Sequence, residues 1–149
     1  MQKLFVCQSI EIQASPAKVW AVLTDPKYTD EWSPAFGDGT PLQIASDWKP
    51  GSRVLWKDRE GKVIVEGDVT AFEPEKLLRF TAFDVRSTER PPIHEEDGIT
   101  YKLAVKDGKL MLHLMHGDFS SLAEGKKYRQ ASAEVWSRVL PKIKALAEA

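Results

Sequence analysis

The stretch from Ser15 to Pro34, SPAKVWAVLTDPKYTDEWSP, decides how the chain folds. Ser15 and Asp25 are favoured N-cap types. Pro16 and Pro26 follow them at the first helical position, where a missing N–H costs nothing. Two helices of about two turns each start in quick succession, and helices that short do not stand alone in water. They must dock on another layer, through Val19, Trp20, Val22, Leu23, Tyr28 and Trp32.

On both sides of this pair the hydrophobic period shortens to two. Leu4 to Ile12 alternates ahead of the helices. Behind them Leu42 to Trp48, Arg53 to Lys57, Lys62 to Phe72, Lys76 to Val85, Ile99 to Val105 and Leu110 to His116 read as strands, rich in β-branched and aromatic residues. Lys49-Pro50-Gly51-Ser52, Asp58-Arg59-Glu60-Gly61, Glu73-Pro74-Glu75-Lys76 and Lys106-Asp107-Gly108-Lys109 are the turns between them. Turns this short join antiparallel neighbours. The long connection from Ser87 to Asp97, with Pro91-Pro92, is a candidate lid or rim.

The C-terminal segment returns to a helical period. Tyr128, Ala131, Val135, Val139, Ile143 and Leu146 recur at three- and four-residue steps, and Trp136, Leu140 and Ala147 widen the stripe. Ser121 to Glu124 has capping-box spacing, with Gly125 marking a start just after it. Pro141 falls inside the pattern and is expected to bend the helix or remove one hydrogen bond. The order of elements predicts an α+β domain over residues 1–149, a seven-stranded antiparallel sheet wrapped around one long helix.

A chain of 149 residues is long enough for one domain with a sizeable core. A net charge of −1 argues against a nucleic-acid or membrane-surface partner. The lone Cys7 permits no internal disulfide, and the alternating N-terminus with Glu11 is expected to be neither a signal peptide nor a membrane span. A cytoplasmic location is the expectation.

With these elements in order, particular segments carry a resemblance. ASPAKVWAVLTDPKYTDEW after an alternating strand, the VEGDVTAFEPEKLLRFT hairpin, LHLMHGDF, and the late VWSRVLPKIKAL are similar to the SRPBCC superfamily. Within it they most resemble the branch of activator of heat-shock-protein-ATPase homologues, related to polyketide cyclases and to START and pollen-allergen-like domains. The resemblance spans essentially the whole chain and implies the helix-grip fold, with a cavity between sheet and long helix. It implies little about activity, because the superfamily uses that cavity for transport, sensing, cyclisation and chaperone contact. In such a fold the two short helices close one end of the sheet. Trp20 would then pack as core and Trp32, near Pro34 and Phe36, would lie toward the cavity mouth; the plainer reading has both rings filling core.

Strand parity suggests what lines the cavity. Val54 and Trp56 share a face, as do Leu78 and Phe80, and Ile99, Tyr101, Leu103 and Val105. Gly67 interrupts the row Val63, Val65, Val69, leaving a bulge or empty volume. Both faces of the last strand are apolar; resemblance to the family's LTLTHEGF-like pattern turns Leu110, Leu112, Leu114 and His116 inward. The candidate ligand-binding set is Trp32, Trp56, Phe80, Tyr101, Leu112, Leu114 and His116, a mixed apolar pocket with few polar anchors.

Dedicated chemistry finds little support. His113 and His116 fall on opposite faces, and consecutive residues in His94-Glu95-Glu96-Asp97 point in different directions, so no metal site is expected. No nucleophile elbow or phosphate cradle is present in sequence, and no cofactor is expected. His116, Tyr101 and Glu66 are the groups capable of acid–base work, His116 foremost because imidazole titrates near neutrality. Glu66 and Asp68 share the face opposite Val65 and Val69, which reads as solvent-facing. Lys126, Lys127, Arg129, Arg138, Lys142 and Lys144 make the last helix basic, either as a solvated face or as a docking surface.

Three functions are therefore carried forward. The first is binding of a small hydrophobic or aromatic molecule between sheet and helix, the second a cyclase- or hydrolase-like reaction in the same cavity. The third, implied by the resemblance, is a co-chaperone-like module that stimulates a heat-shock ATPase through a protein contact.

Overall fold

Asp25 closes one helix and opens the next. In the computed structural model, which describes residues 3–37, 42–85 and 97–149, helix α1 spans Pro16–Thr24 and α2 spans Pro26–Trp32. Ser15 Oγ accepts from the Lys18 amide at 3.1 Å to cap α1. The Asp25 amide donates to the Ala21 carbonyl at 2.8 Å while its carboxylate accepts from the Lys27 amide at 3.0 Å. One residue thus ends α1 and caps α2, which is how two helices fit into so short a stretch. Val19, Val22, Leu23, Thr29 and Trp32 are buried beneath the pair, and a 3₁₀ turn follows at Ser33–Gly37.

Eight strands are present among the described residues: β1 Val6–Ile12, β2 Gln43–Ser46, β3 Arg53–Lys57, β4 Val63–Glu73, β5 Leu77–Phe80, β6 Phe83–Asp84, β7 Gly98–Lys106 and β8 Lys109–Gly117. Their antiparallel order is β1-β8-β7-β5-β4-β3-β2, with β6 beside β4. The extra strand arises because the expected Lys76 to Val85 strand breaks at Thr81. A Cβ built on Gly67 would lie 1.7 Å from the Thr81 carbonyl oxygen. The backbone of Thr81 therefore crosses over Gly67, its amide donating to the Asp68 carbonyl and its Oγ1 accepting from the Asp68 amide, both at 2.9 Å. The chain then re-pairs lower on β4 as β6, at Val65 and Glu66. The empty volume expected at Gly67 is instead filled by backbone; glycine is needed there because another main chain approaches.

Helix α3 spans Gly125–Glu148 and lies against the sheet's concave face, with Trp136, Val139, Leu140, Ile143 and Ala147 buried. Its apolar stripe is thus confined to the second half. Tyr128 is 42% exposed and Ala131 is exposed as well, because the first turns extend past the apolar cover. Glu124 occupies the N-cap without a side-chain cap bond, so the capping box is not formed. Gly125 starts the helix because Phe119 runs beneath it; a Cβ there would stand 1.9 Å from the Phe119 oxygen. Pro141 is exposed and the helix continues through it. Gln8 ties β1 to the helix by donating to the Ala133 carbonyl at 3.0 Å. No helix among the described residues is long and apolar enough to cross a membrane.

Candidate functional site

Cross-strand register builds the inward face. Val6, His116, Ile99 and Phe80 stand in one row across β1, β8, β7 and β5, and Gln8, Leu114, Tyr101 and Leu78 in the next. Leu112 pairs with Leu103 below them. Phe80, Tyr101, Leu112 and Leu114 are all essentially closed to solvent, so the Leu110–Leu114 face of β8 is the inward one. His116 ends that row, half-buried.

Against these rows α3 sets Trp136 and the 3₁₀ turn sets Phe36. Phe80, Tyr101 and Trp136 form a run of rings with 6.0 Å between successive centroids. Trp136 in turn meets Phe36 edge-on at 4.9 Å. Phe36 also meets Trp56 at 5.1 Å and Trp32 at 6.2 Å, so three indoles from α2, β3 and α3 surround one half-buried phenyl ring. Edge-to-face geometry at these distances adds to simple area burial.

The polar groups of this face are few. Trp136 Nε1 donates to His116 Nδ1 at 3.2 Å. Burial lowers the His116 pKa from 6.5 to about 4, so the ring is neutral at physiological pH. Burial likewise raises the Tyr101 phenol, which stays protonated. Trp32 Nε1 donates to the Val22 carbonyl at 2.8 Å, and Trp48 Nε1 to the Thr24 carbonyl at 3.1 Å. Trp56 Nε1 and Thr29 Oγ1 are buried with no hydrogen-bond partner.

All seven candidate residues therefore lie on the inner side, but the two helical tryptophans exchange the positions expected of them. Trp32 is 1% exposed and anchored to α1, whereas Trp20 is half-buried beside Phe72, with 5.9 Å between ring centroids. The reason is helical phase: α2 turns Trp32 under α1, while Trp20 points toward the rim of β4. Glu66 and Asp68 face outward and pair with Arg53 at 3.0 and 3.8 Å, which removes Glu66 from the inner face. His113 also faces outward, its Nδ1 2.6 Å from Ser9 Oγ, so the two histidines do not converge. The candidate lid up to residue 96, with His94-Glu95-Glu96, lies outside the described residues.

The sequence set Phe36 beside Trp32 near the cavity mouth and Trp136 in the helix stripe, but neither belonged to the candidate ligand-binding set. Phe36 stands four residues after Trp32, one helical turn on, which is the signal that joins them. Two surface grooves of about 640 and 490 Å³ lie at the outer face and open end of the sheet. They share Pro16, Val105 and Leu110, the larger also includes the outward His113, and neither contains a ring of the inner face.

A curved antiparallel sheet closed by two short helices and gripped around a long C-terminal one defines the helix-grip fold. The family model for Activator of Hsp90 ATPase homolog 1-like protein matches residues 13–148, and the chain belongs to that family, within the activator and polyketide-cyclase branch of the SRPBCC superfamily. Among solved structures, the Aha1 dimer from Colwellia psychrerythraea superposes with a TM-score of 0.70 at 17% identity, covering 97% of this chain and 96% of that one. ChR145 from Cytophaga hutchinsonii gives 0.70 at 23% identity, covering 97% and 94%. CalU16 from Micromonospora echinospora gives 0.65 at 15% identity, covering 96% and 75%. At these identities the likeness is one of fold. No curated protein sequence matches the chain.

Proposed function

We propose that this domain binds a small hydrophobic or aromatic molecule between the sheet and α3, with Trp56, Phe80, Tyr101, Leu112, Leu114 and His116 lining the site and Trp32 supporting it. The observation that carries this reading is the setting of Phe36. Its ring meets three indoles in T-shaped contacts yet remains half-buried, on a 3₁₀ turn rather than inside a long element. A flat aromatic ligand could make the same ring contacts. Ligand-detected NMR and tryptophan fluorescence against aromatic and fatty molecules test it; the reading stands on binding tighter than millimolar, which is worth roughly 4 kcal/mol. If no molecule binds that well, the reading is wrong.

Membership of the family supports a second reading, contact with a protein partner. Its local observation is the exposed first half of α3, where Lys126, Lys127 and Arg129 flank Tyr128. Stimulation of a heat-shock ATPase by the full chain, lost on reversing those three charges, is the result that would favour it.

A further inference from the structure

We propose that the molecule held between sheet and α3 is recognised through a hydrogen-bond acceptor, a carbonyl, carboxylate or ether oxygen on an aromatic or apolar body, and that Trp56 Nε1–H is the donor that selects it. This rests on the ligand-binding reading above.

An indole nitrogen only donates. Trp32, Trp48 and Trp136 each deliver that proton to a named acceptor on the chain, at 2.8, 3.1 and 3.2 Å. Trp56 does not, although it is only 4% exposed. A buried donor left without an acceptor is uncommon in a folded chain and asks what fills the gap. Its β3 backbone is already paired to β4 opposite Val65, and its ring neighbour is Phe36, which has no lone pair to offer.

The other polar atoms of the inner face point the same way. Trp136 can only donate to His116 Nδ1, so that nitrogen carries a lone pair and the proton of the neutral ring sits on Nε2. Tyr101 keeps its phenol proton. Among the described residues the buried polar side chains are Thr29, Ser33, Thr81 and Thr100, none of them a carboxylate. The face therefore offers donors and no counter-charge for a cation. An ammonium would lose its hydration without replacement, whereas an oxygen acceptor would complete Trp56.

Three matched molecules separate the possibilities: acetylnaphthalene, ethylnaphthalene and naphthylethylamine, titrated into the nitrogen-labelled full chain and followed at the tryptophan indole resonances. The ketone should bind about tenfold tighter than the hydrocarbon, the amine weakest, and the ketone should move the Trp56 indole proton downfield. In Trp56→Phe the ketone's tenfold advantage over the hydrocarbon should vanish, both molecules then binding with the same affinity. Should that variant not fold, the indole shift in the unaltered chain decides by itself. Equal affinity for ketone and hydrocarbon, tightest binding of the amine, or a Trp56 resonance that ignores the ketone overturns the proposal and leaves the binding reading intact. If none of the three binds below millimolar, the proposal is overturned, and the binding reading falls with it only when the wider set of aromatic and fatty molecules fails too.

Discussion

Trp136 donates its indole proton to His116 across 3.2 Å, from the long helix to the end of the last strand. Protonating Nδ1 breaks that bond and places a charge against Phe119 and Trp136, whose rings lie 5.0 and 6.3 Å away. The folded pKa near 4 lies below the ordinary 6.5, so between those values the unfolded chain binds more protons. Stability from this group is complete above pH 6.5 and falls as pH drops toward 4, by at most about 3 kcal/mol for a half-buried ring. Urea unfolding across that window should show a pH slope that His116→Gln flattens. Parallel curves for the two proteins would rule the effect out.

At Gly67 any side chain meets the Thr81 backbone. Gly67→Ala should destabilise by at least about 2 kcal/mol, and Gly67→Leu should not fold. Gly61→Ala, where no atom lies within 4 Å of the added carbon, should cost only the strain of its left-handed backbone, about 1 kcal/mol. Chemical denaturation of the two alanine variants gives the comparison, and similar losses would contradict the crossing of Thr81 over β4.

Trp32→Phe keeps the ring contact with Phe36 but removes the donor to the buried Val22 carbonyl. A loss of about 1–2 kcal/mol is expected, with the α1 amides showing faster hydrogen exchange. Unchanged protection in α1 would show that the bond does not tie the two helices together.

Asp118 gathers the amides of Leu4 and Ser120 at 2.9 and 2.8 Å. Burial acts to raise its pKa, but those two N–H donors and the nearby Lys3 hold it below the usual carboxylate value. Its contribution is therefore present above the ordinary carboxylate range and lost as pH falls through the lowered value. Asp118→Ala should cost about 1–2 kcal/mol and free the Leu4 amide to exchange, while Asp118→Asn should recover part of the loss. An Asn variant no better than Ala would point to charge rather than hydrogen bonding.

What the sequence disclosed follows from the range of each signal. Caps and turns are local, so α1, α2 and most hairpins were legible from Ser15, Asp25 and the glycine turns. Strand parity placed Trp56, Phe80 and Tyr101 inward, because a period of two leaves little choice; on the last strand, apolar on both faces, the family resemblance rather than parity turned Leu112 and Leu114 inward. The break at Thr81 was not legible: Gly67 announces a gap, but not that a backbone from beyond the next turn would enter it. The exchange between Trp20 and Trp32 was hidden for a related reason, since both helices are amphipathic and the phase of α2 depends on a carbonyl ten residues earlier. Phe36 escaped because its role depends on three indoles brought from distant elements.

The first strand lies beside the last. Ser9 and His113, 104 residues apart, stand side by side in the sheet. In an order of assembly, β1 has no strand partner until β8 exists, and α3, which covers both, comes later still. Loop closure of that length must be met before any of its contacts contribute, which makes the fold a late and collective event. The rings of the inner face are thus enclosed only at the final step, and a chain interrupted before α3 would leave Tyr101, Leu112 and Leu114 as an open apolar sheet, a surface inclined to associate with its own kind.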